Sequence, residues 1–293
     1  MSKLDDLRTQ MTQDDRELTE IQEKDNKKVD ALLNFSGYDG VDKIISSYEA
    51  LDIIKGKHSN VKRFKTGISR IDYLTDGFEE GELVVLSGIT ANGKTTFAQT
   101  LTRNLSKSGV NSLWFTYEVG LKNFIERFGK KTPLFFLPKT LKENTVKWIE
   151  DRIIESKVKY ECKVVFIDHL HYLIRLGQAV NTSFLIGEIM RKLKQLAIEH
   201  EIVIVIIAHT QKIKHDTVPD LSDIRDSSFI SQESDICMII RRCGQLNKKT
   251  NEMKYFETAN VYLLKNRRKG DLGKIELTMK DKLFYETEVH YES

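Results

Sequence analysis

Residues 81–96, GELVVLSGITANGKTT, constrain the fold of this chain more than any other segment does. They contain the pattern G-x-x-x-x-G-K-[ST], which binds phosphate when a strand precedes it and a helix follows it. Here the apolar run 83–86 precedes the loop, and a helical pattern begins near Lys94. Glycines allow backbone N–H groups to face an anion, and the helix N-terminus adds its positive end. The segment therefore predicts a nucleoside triphosphate site.

This loop also supplies the candidate ligands of the nucleotide, which is ATP or another NTP, and of Mg²⁺. Lys94 is expected to reach the β- and γ-phosphates, and the Thr95 hydroxyl is expected to bind Mg²⁺. The alternative is a glycine turn that precedes a helix by chance, but strand, loop and helix occur here in the required order. The predicted nucleotide-binding residues of the loop are Gly88, Asn92, Gly93, Lys94, Thr95 and Thr96.

Glu118, Asp168 and His209 each follow or end a predicted strand. The three strands are residues 111–117, 163–168 and 201–208. Ligands of open α/β sheets bind at the carboxyl ends of the strands, so these side chains are expected beside the phosphates. Asp168 is predicted to hold Mg²⁺ directly or through water, and Glu118 to act as the general base. The alternative for Glu118 is a surface carboxylate. His209 is predicted to sense the γ-phosphate, although a lone histidine is more often structural.

Strands and helical patterns alternate through the middle of the chain, with helices predicted at residues 95–108, 145–160 and 183–200. This alternation predicts an α/β fold, a P-loop NTPase core whose mostly parallel sheet carries helices on both faces. The strand 201–208 is rich in β-branched residues and is expected at the centre of the parallel sheet. After Asp235 the pattern changes to strands without helices, which predicts a C-terminal antiparallel extension at the sheet edge.

The first 64 residues differ in composition from the rest, which suggests that the chain has three parts. Residues 1–35 are charge-dense and are expected to form a helical or disordered arm. Residues 36–64 are predicted to form a linker that contains an amphipathic helix. Two interpretations of this helix stay open: it docks on a neighbouring subunit, or it covers its own domain. Residues 65–293 form the predicted ATPase domain. The apolar residues of the linker helix are Val41, Ile44, Ile45, Tyr48, Leu51 and Ile54.

The composition and charge of the chain restrict the classes of protein to which it can belong. The formal net charge is only +3, so any nucleic-acid surface must be local. The three cysteines lack metal-ligand spacing, and Cys162 and Cys237 are expected to be small core residues in a reducing compartment. No apolar run approaches the ~20 residues of a membrane span, and the N-terminus does not resemble a signal peptide. A cytoplasmic protein, which a phage could encode, is expected.

The motifs together are similar to the helicase domain of the DnaB-like hexameric replicative helicases. The resemblance rests on GITANGKT, LWFTYE, VVFIDHL, VIIAHTQ, LSDIRDSSFISQESD and LKNRRKGDLG, and it covers residues 65–279. The mitochondrial Twinkle helicase and the phage primase–helicases are nearest in motifs. The resemblance implies a RecA-like ATPase domain that forms a ring of six subunits, translocates on single-stranded DNA and unwinds the duplex. It also implies a separate primase or helicase loader as partner, since the chain has no room for a primase domain.

The resemblance also implies roles for individual residues. Arg267 matches the arginine finger and Lys265 the lysine near it, and both would reach the ATP of the adjacent subunit. Arg268 and Lys269 are expected to form a solvated basic turn. The catalytic set that results is Glu118, Lys94, Arg267 and His209, with Lys265 and Arg267 added to the nucleotide-binding residues.

DNA contacts are expected from loops that face the channel of the ring. LSDIRDSS matches the family segment L-x-D-[LI]-R-x-S-G, with Ser228 in place of the usual glycine. Residues 212–219 and 175–182 are two further candidate loops. The predicted DNA-binding residues are Lys212, Lys214, Arg225, Asp226 and Ser228. Few aromatic residues occur in these loops, so weak sequence preference is expected.

Two other functions remain open at this stage. One is a strand-exchange ATPase resembling RecA or RadA, or a loader-type ATPase, on the same fold. The other is a structural ATP-binding module, which the presence of Glu118 disfavours. The segments LKNR-x3-D-x-G and R-D-S-S favour the helicase.

Overall fold

A computed structural model of the chain describes residues 24, 27, 40, 43–56, 61–129, 132–174, 182–211, 217–225, 227–247 and 252–287. The chain divides into two units, Met1–Asn60 and Val61–Ser293. None of the helices in these ranges has the length and apolar character needed to cross a bilayer.

Helix α1, Ser47–Gly56, lies in the first unit. It begins after a reciprocal capping box, in which the Ser46 hydroxyl accepts from the Glu49 amide at 3.1 Å and the Glu49 carboxylate accepts from the Ser46 amide at 2.9 Å. The predicted apolar spacing began at Val41, but the cap sets the helix start six residues later. Tyr48 and Leu51 on this helix are exposed.

The second unit contains a large mixed sheet with helices packed on it. Its helices are α2 Ser69–Thr75, α3 Lys94–Lys107, α4 Leu121–Glu126, α5 Val146–Tyr160, α6 Thr182–Glu199 and α7 Ser227–Glu233. Its strands are β1 Arg63–Phe64, β2 Phe78–Glu79, β3 Leu83–Gly88, β4 Ser112–Thr116, β5 Val164–Asp168, β6 Val203–His209, β7 Ile236–Asn247, β8 Glu252–Asn266, β9 Gly273–Lys280 and β10 Leu283–Glu286.

Eight of these strands form one sheet in the order β10-β9-β8-β7-β3-β6-β5-β4, and β1 pairs with β2 separately. The five strands from β7 to β4 are parallel, with β6 in the middle, as its β-branched sequence predicted. Strands β8, β9 and β10 continue the sheet antiparallel. One expectation was wrong: β7 was assigned to the antiparallel extension, but it runs parallel to β3 and joins the two halves.

Alternate residues of the parallel strands pack into two cores, one on each face of the sheet. Val84 and Leu86 point to the face covered by α3, whereas Leu83 and Val85 point to the face covered by α5 and α6. All four are fully buried, which explains why β3 reads as a continuous apolar run. Cys237 lies in the second of these cores, and Cys162 does too, as expected of small core residues.

Candidate functional site

The carboxyl ends of β3, β4, β5 and β6 meet at one edge of the sheet, as parallel pairing requires. In register, Gly88 of β3 lies beside His209 of β6, and Thr116 of β4 lies beside Asp168 of β5. The backbone amide of Glu118 also donates to the Asp168 carbonyl at 3.3 Å. The structure therefore brings the predicted base, metal ligand and sensor together beside the P-loop.

Two glycines let the P-loop turn from β3 into α3. Gly93 has φ +92°, in the left-handed region, and a Cβ there would lie 2.9 Å from the Phe284 ring. At Gly88 a Cβ would lie 2.5 Å from the Ile240 carbonyl oxygen, so the backbone of β7 passes too close for a side chain. The loop can therefore present backbone N–H groups to phosphate at the N-terminus of α3.

Lys94 is the first residue of α3 and is buried beneath the loop. Its ammonium donates to the carbonyls of Gly88 at 2.9 Å and Ile89 at 3.3 Å. Burial lowers the pKa of Lys94, while the Glu118 and Asp168 carboxylates act in the opposite sense. An amine held in this way under the loop is placed to bind an anion that the loop encloses.

Asp168 and Thr95 have the donor atoms that Mg²⁺ prefers. The Thr95 hydroxyl donates to Asp168 Oδ2 at 2.8 Å, while Asp168 Oδ1 is buried and has no hydrogen-bond partner among the described residues. Burial raises the pKa of Asp168 to about 6, and the neighbouring Glu118 carboxylate adds to that effect. A buried carboxylate with an unsatisfied oxygen beside a hydroxyl fits a hard divalent cation, which prefers oxygen ligands.

Glu118 lies at the open side of the cleft, with its side chain 35% exposed. Its Oε2 is 3.3 Å from Nδ1 of His169, a buried residue that directly follows Asp168. Burial lowers the pKa of His169 to about 3, so its imidazole is neutral at physiological pH. The neutral His169 ring therefore forms no ion pair with the Glu118 carboxylate, the group that the sequence predicts as the general base.

His209 lies at the end of β6, and its backbone is bonded to the segment that contains Arg225. The His209 carbonyl accepts from the Arg225 amide at 3.1 Å, and Thr210 forms an antiparallel bridge with Ile224. The His209 ring lies 4.4 Å from the His169 ring between centroids. Burial lowers the pKa of His209, and the charge of Lys94 lowers it further. The backbone at His209 is therefore bonded directly to the 224–225 segment.

A cleft of about 350 Å³ opens between the P-loop and the antiparallel strands. Thr96 lines it, and the Thr96 carbonyl accepts from the Thr100 hydroxyl within α3. Asn92 is buried, and its Oδ1 accepts from the Arg242 amide at 2.9 Å, so its side chain fixes the loop to β7. Sequence reasoning missed four residues of this region, namely Arg127, Arg242, Phe284 and His169.

Lys265 and Arg267 lie at the opposite edge of the sheet from the P-loop. Asn266 pairs with Ile236 at the amino end of β7, and the Arg267 amide donates to the Asp235 carbonyl. The Lys265 ammonium binds the Ser231 and Ser234 carbonyls at the end of α7. The P-loop follows the carboxyl end of β3, so the length of that strand separates these cations from the phosphate site of their own chain.

Arg268 was expected in a solvated basic turn, and this expectation was wrong. Its side chain is only 19% exposed and pairs with Glu82 at 3.1 Å. Its guanidinium also donates to the carbonyls of Thr75 at 2.6 Å and Gly77 at 2.8 Å. Arg268 therefore fixes the end of α2 and the turn after it. Lys269 is more exposed and donates to the Tyr73 carbonyl.

The candidate DNA-binding residues are only partly covered by the structure. Arg225 and Ser228 are both exposed, and Ser228 lies in the first turn of α7. Lys212, Lys214 and Asp226 lie outside the described residues, as does most of the 175–182 segment.

The sheet order, the P-loop and the carboxylates at neighbouring strand ends define a RecA-like P-loop ATPase fold. The family model "DnaB-like helicase C terminal domain" matches residues 64–132 and 130–286. The chain therefore belongs to the family of DnaB-like helicase C-terminal domains.

Curated relatives and solved structures agree with this assignment. The chain is 23% identical over 307 residues to the replicative DNA helicase DnaB of Geobacillus stearothermophilus, covering 93% of this chain and 65% of that one. It is 22% identical to the replicative DNA helicase DnaC of Bacillus subtilis, covering 87% of this chain and 63% of that protein. The chain thus spans less than two thirds of the length of either relative.

Two solved structures share the fold. The ATPase domain of G40P matches with a TM-score of 0.67 at 23% identity, covering 84% of this chain and all of that one. A DnaB-like replicative helicase, studied together with its interactions with primase, matches with a TM-score of 0.66 at 22% identity, covering 90% of this chain and 72% of that one.

Proposed function

We propose that the chain is an ATP-dependent, ring-forming replicative DNA helicase, which translocates on single-stranded DNA and unwinds the duplex. One observation carries the proposal: the residues of one predicted catalytic set lie at opposite ends of the parallel strands. The carboxyl ends of the strands form one edge of the sheet and the amino ends form the other. Lys94, Glu118 and Asp168 lie at the carboxyl edge, whereas Arg267 is bonded to Asp235 at the amino edge. A complete site then needs the carboxyl edge of one subunit and the amino edge of another.

Within one subunit, the P-loop and Lys94 bind the triphosphate. Lys94 places its positive charge on the β- and γ-phosphates, while Glu118 accepts a proton from the attacking water. Thr95 and Asp168 are the residues that would hold Mg²⁺, which neutralises charge that develops on the phosphate oxygens. His209 is placed to hydrogen-bond the γ-phosphate and to pass its loss to the Arg225 backbone.

Between subunits, Arg267 and Lys265 are proposed to reach the γ-phosphate that the neighbour holds. A contact between two different edges is heterologous, and a heterologous contact that closes forms a ring. We propose a hexamer. Helix α1 is proposed as the linker helix that docks on the neighbour, since Tyr48 and Leu51 present apolar surface on it.

Single-stranded DNA is the proposed polymer in the channel of the ring. Arg225 and Ser228 are exposed on the segment whose backbone is bonded to His209. Lys212 and Lys214 add charge from the neighbouring loop. Few positive charges imply a modest salt dependence, as suits a strand that is held loosely and stepped along. A primase or a loader is the proposed protein partner, and the cytoplasm the proposed compartment.

Strand displacement on a forked duplex, with ATP and Mg²⁺, tests this proposal. We expect the full chain to unwind the fork. The Lys94→Ala variant should neither hydrolyse ATP nor unwind the fork, and the Glu118→Gln variant should bind ATP without hydrolysing it. The competing function, strand exchange or loading, predicts ATP hydrolysis on DNA with no displacement of the fork. If the parent chain gives that result, the proposed helicase function is wrong and strand exchange or loading is the better assignment.

A further inference from the structure

Three potential metal ligands lie together at the carboxyl ends of β4, β5 and β6. They are the Glu118 carboxylate and the imidazoles of His169 and His209, and one ligand atom of each lies within 4.8 Å of the other two. His169 Nδ1 is 3.3 Å from Glu118 Oε2. The two imidazole rings are 4.4 Å apart between centroids, at an interplanar angle of 77°.

The spacing of these atoms fits one tetrahedral ion. Zinc binds imidazole nitrogen and carboxylate oxygen at about 2.0–2.2 Å, so two ligands of one tetrahedral zinc lie roughly 3.4 Å apart. The 3.3 Å between Glu118 and His169 matches that separation. The third atom is within 4.8 Å, so closing the set takes a shift of at most about 1.4 Å, within reach of side-chain rotation at the partly buried His209.

His169 supplies independent evidence for a ligand. It is a buried residue, 9% exposed, and its Nδ1 makes no hydrogen bond within the described part of the chain. Buried polar atoms are normally paired. The strand ends that carry the set are themselves bonded, since the amides of Tyr117 and Glu118 both donate to the Asp168 carbonyl. An unsatisfied nitrogen therefore lies on rigid elements, beside two other ligand atoms.

Two imidazoles and one carboxylate select a transition metal rather than Mg²⁺. Imidazole suits zinc, copper and nickel, whereas Mg²⁺ takes oxygen ligands. Two histidines and a glutamate with an open fourth position are a known zinc ligand set. The set is also separate in its atoms from Thr95 and Asp168, the residues assigned to Mg²⁺.

We propose that Glu118, His169 and His209 form a Zn²⁺ site, and that zinc bound there withdraws the Glu118 carboxylate and stops ATP hydrolysis. Coordination occupies the lone pair with which Glu118 accepts a proton from water, so zinc and catalysis compete for one group. The inhibition rests on the proposed function of Glu118, whereas the binding of zinc does not.

Zinc binding is measured on the full chain, stripped with a chelator and free of nucleotide, by equilibrium dialysis followed by metal analysis. We expect one equivalent of Zn²⁺ that millimolar Mg²⁺ does not displace. His169→Ala combined with His209→Ala leaves a single carboxylate ligand, so it should weaken that binding by more than the roughly 100-fold that loss of an outer partner of a ligand costs. His200→Ala is the matched control, because it removes a histidine from a second cluster, with Glu150 and Glu199, that also has metal-ligand spacing.

X-ray absorption at the zinc edge is measured on the parent protein, so it tests the site even if the double variant misfolds. It should show four nitrogen or oxygen ligands, two of them imidazole. Three results would each rule out the proposed zinc site. They are the absence of stoichiometric zinc, retention of the zinc by the folded double variant, and loss of the zinc in His200→Ala. Equimolar Zn²⁺ should also abolish hydrolysis reversibly with a chelator. If zinc binds at the site but ATP hydrolysis continues, the proposed inhibition is wrong and the zinc site stands. If the parent protein hydrolyses no ATP, the zinc-binding measurement still tests the site.

Discussion

Arg267 and Asp235 form an ion pair, with 3.0 Å between Nη1 and Oδ1. The Asp235 carboxylate also accepts from the Leu83 amide at 2.8 Å, so this pair is anchored at the first residue of β3. The P-loop begins at Gly88, five residues further on, which is about 17 Å at 3.3 Å per residue. Arg267 therefore cannot reach the phosphates of its own chain, although half of its side chain is exposed.

Arg267→Ala is predicted to nearly abolish ATP hydrolysis while leaving ATP binding and ring formation intact. An arginine finger is worth on the order of 10³–10⁵ in rate, because its charge matters mainly in the transition state. Steady-state hydrolysis, nucleotide binding and native mass measurements on the variant check this.

Mixing Arg267→Ala with Glu118→Gln subunits tests whether the finger acts between subunits. One type of interface in a mixed ring regains both an intact glutamate and an intact arginine, so partial hydrolysis should return. If subunits are shown to exchange and no activity returns, or if isolated monomers are fully active, the interfacial assignment is wrong.

Arg268→Ala is predicted to act on stability, in contrast to its neighbour. The substitution removes the guanidinium from Glu82 Oε1 and from the Thr75 and Gly77 carbonyls, while Glu82 Oε2 keeps the Glu79 amide. Removing one partner from such buried groups costs about 1–3 kcal/mol in the free energy of unfolding. Thermal denaturation should show a fall of several degrees. Arg267→Ala serves as the comparison and should cost less, because half of the Arg267 side chain is exposed and Asp235 keeps its bonds to Lys194 and the Leu83 amide. Equal stability of the two variants would contradict the role of Arg268.

Substitutions at Arg225 should separate DNA binding from its coupling to hydrolysis. Arg225→Ala removes a charge, so affinity for single strands should fall and the salt slope should decrease by about one. Arg225→Pro also removes the amide that donates to the His209 carbonyl. The preceding Ile224 has ψ 128°, which a following proline accepts.

We therefore expect Arg225→Pro to lose DNA stimulation of hydrolysis even at DNA concentrations that saturate it, whereas Arg225→Ala regains stimulation at saturation. Hydrolysis titrated with single-stranded DNA at low and high salt measures both effects. Identical behaviour of the two variants at saturation would exclude the His209–Arg225 backbone contact as the link.

Asp168→Asn is predicted to stabilise the metal-free protein at neutral pH. Burial raises the pKa of Asp168 to about 6, so the folded state binds more protons than the unfolded state between pH ~4 and ~6. The stability that protonated Asp168 gives is thus full below pH ~4 and is lost as the pH rises through about 6. The variant should therefore unfold at a higher temperature than the parent at pH 7 in a chelator.

The difference between Asp168→Asn and its parent should shrink as the pH falls from about 6 to about 4, because both side chains are then neutral. A pKa shift of about two units corresponds to at most roughly 3 kcal/mol. Thermal denaturation across this range measures it, and the variant should also lose the dependence of ATP affinity on Mg²⁺. A constant difference at every pH would mean that Asp168 does not titrate as described.

Local sequence determined the phosphate-binding part of this protein. A strand, a glycine loop and a helix are contiguous, so residues 83–107 contain nearly everything that their conformation needs. The positions of Glu118 and Asp168 were also predictable, because parallel strands place their carboxyl ends at one edge. The β-branched composition of residues 201–208 likewise predicted that β6 lies at the centre of the parallel strands.

Tertiary structure decided what adjacent residues of the same type do. Arg267 and Arg268 are neighbours in a basic run, yet one pairs with Asp235 and half faces solvent while the other is enclosed against Glu82. Local sequence does not encode this difference, because both partners lie more than 30 residues away along the chain.

The same reason explains the parts of the cleft that the sequence did not reveal. His169 became a site residue only because β4, β5 and β6 stand side by side, and Asn92 became a positioning residue only because β7 passes the loop. The sequence determined which segments carry the chemistry, since that depends on short-range periodicity. Which side chains face one another depended on the pairing of strands distant in sequence, and only the folded sheet decided it.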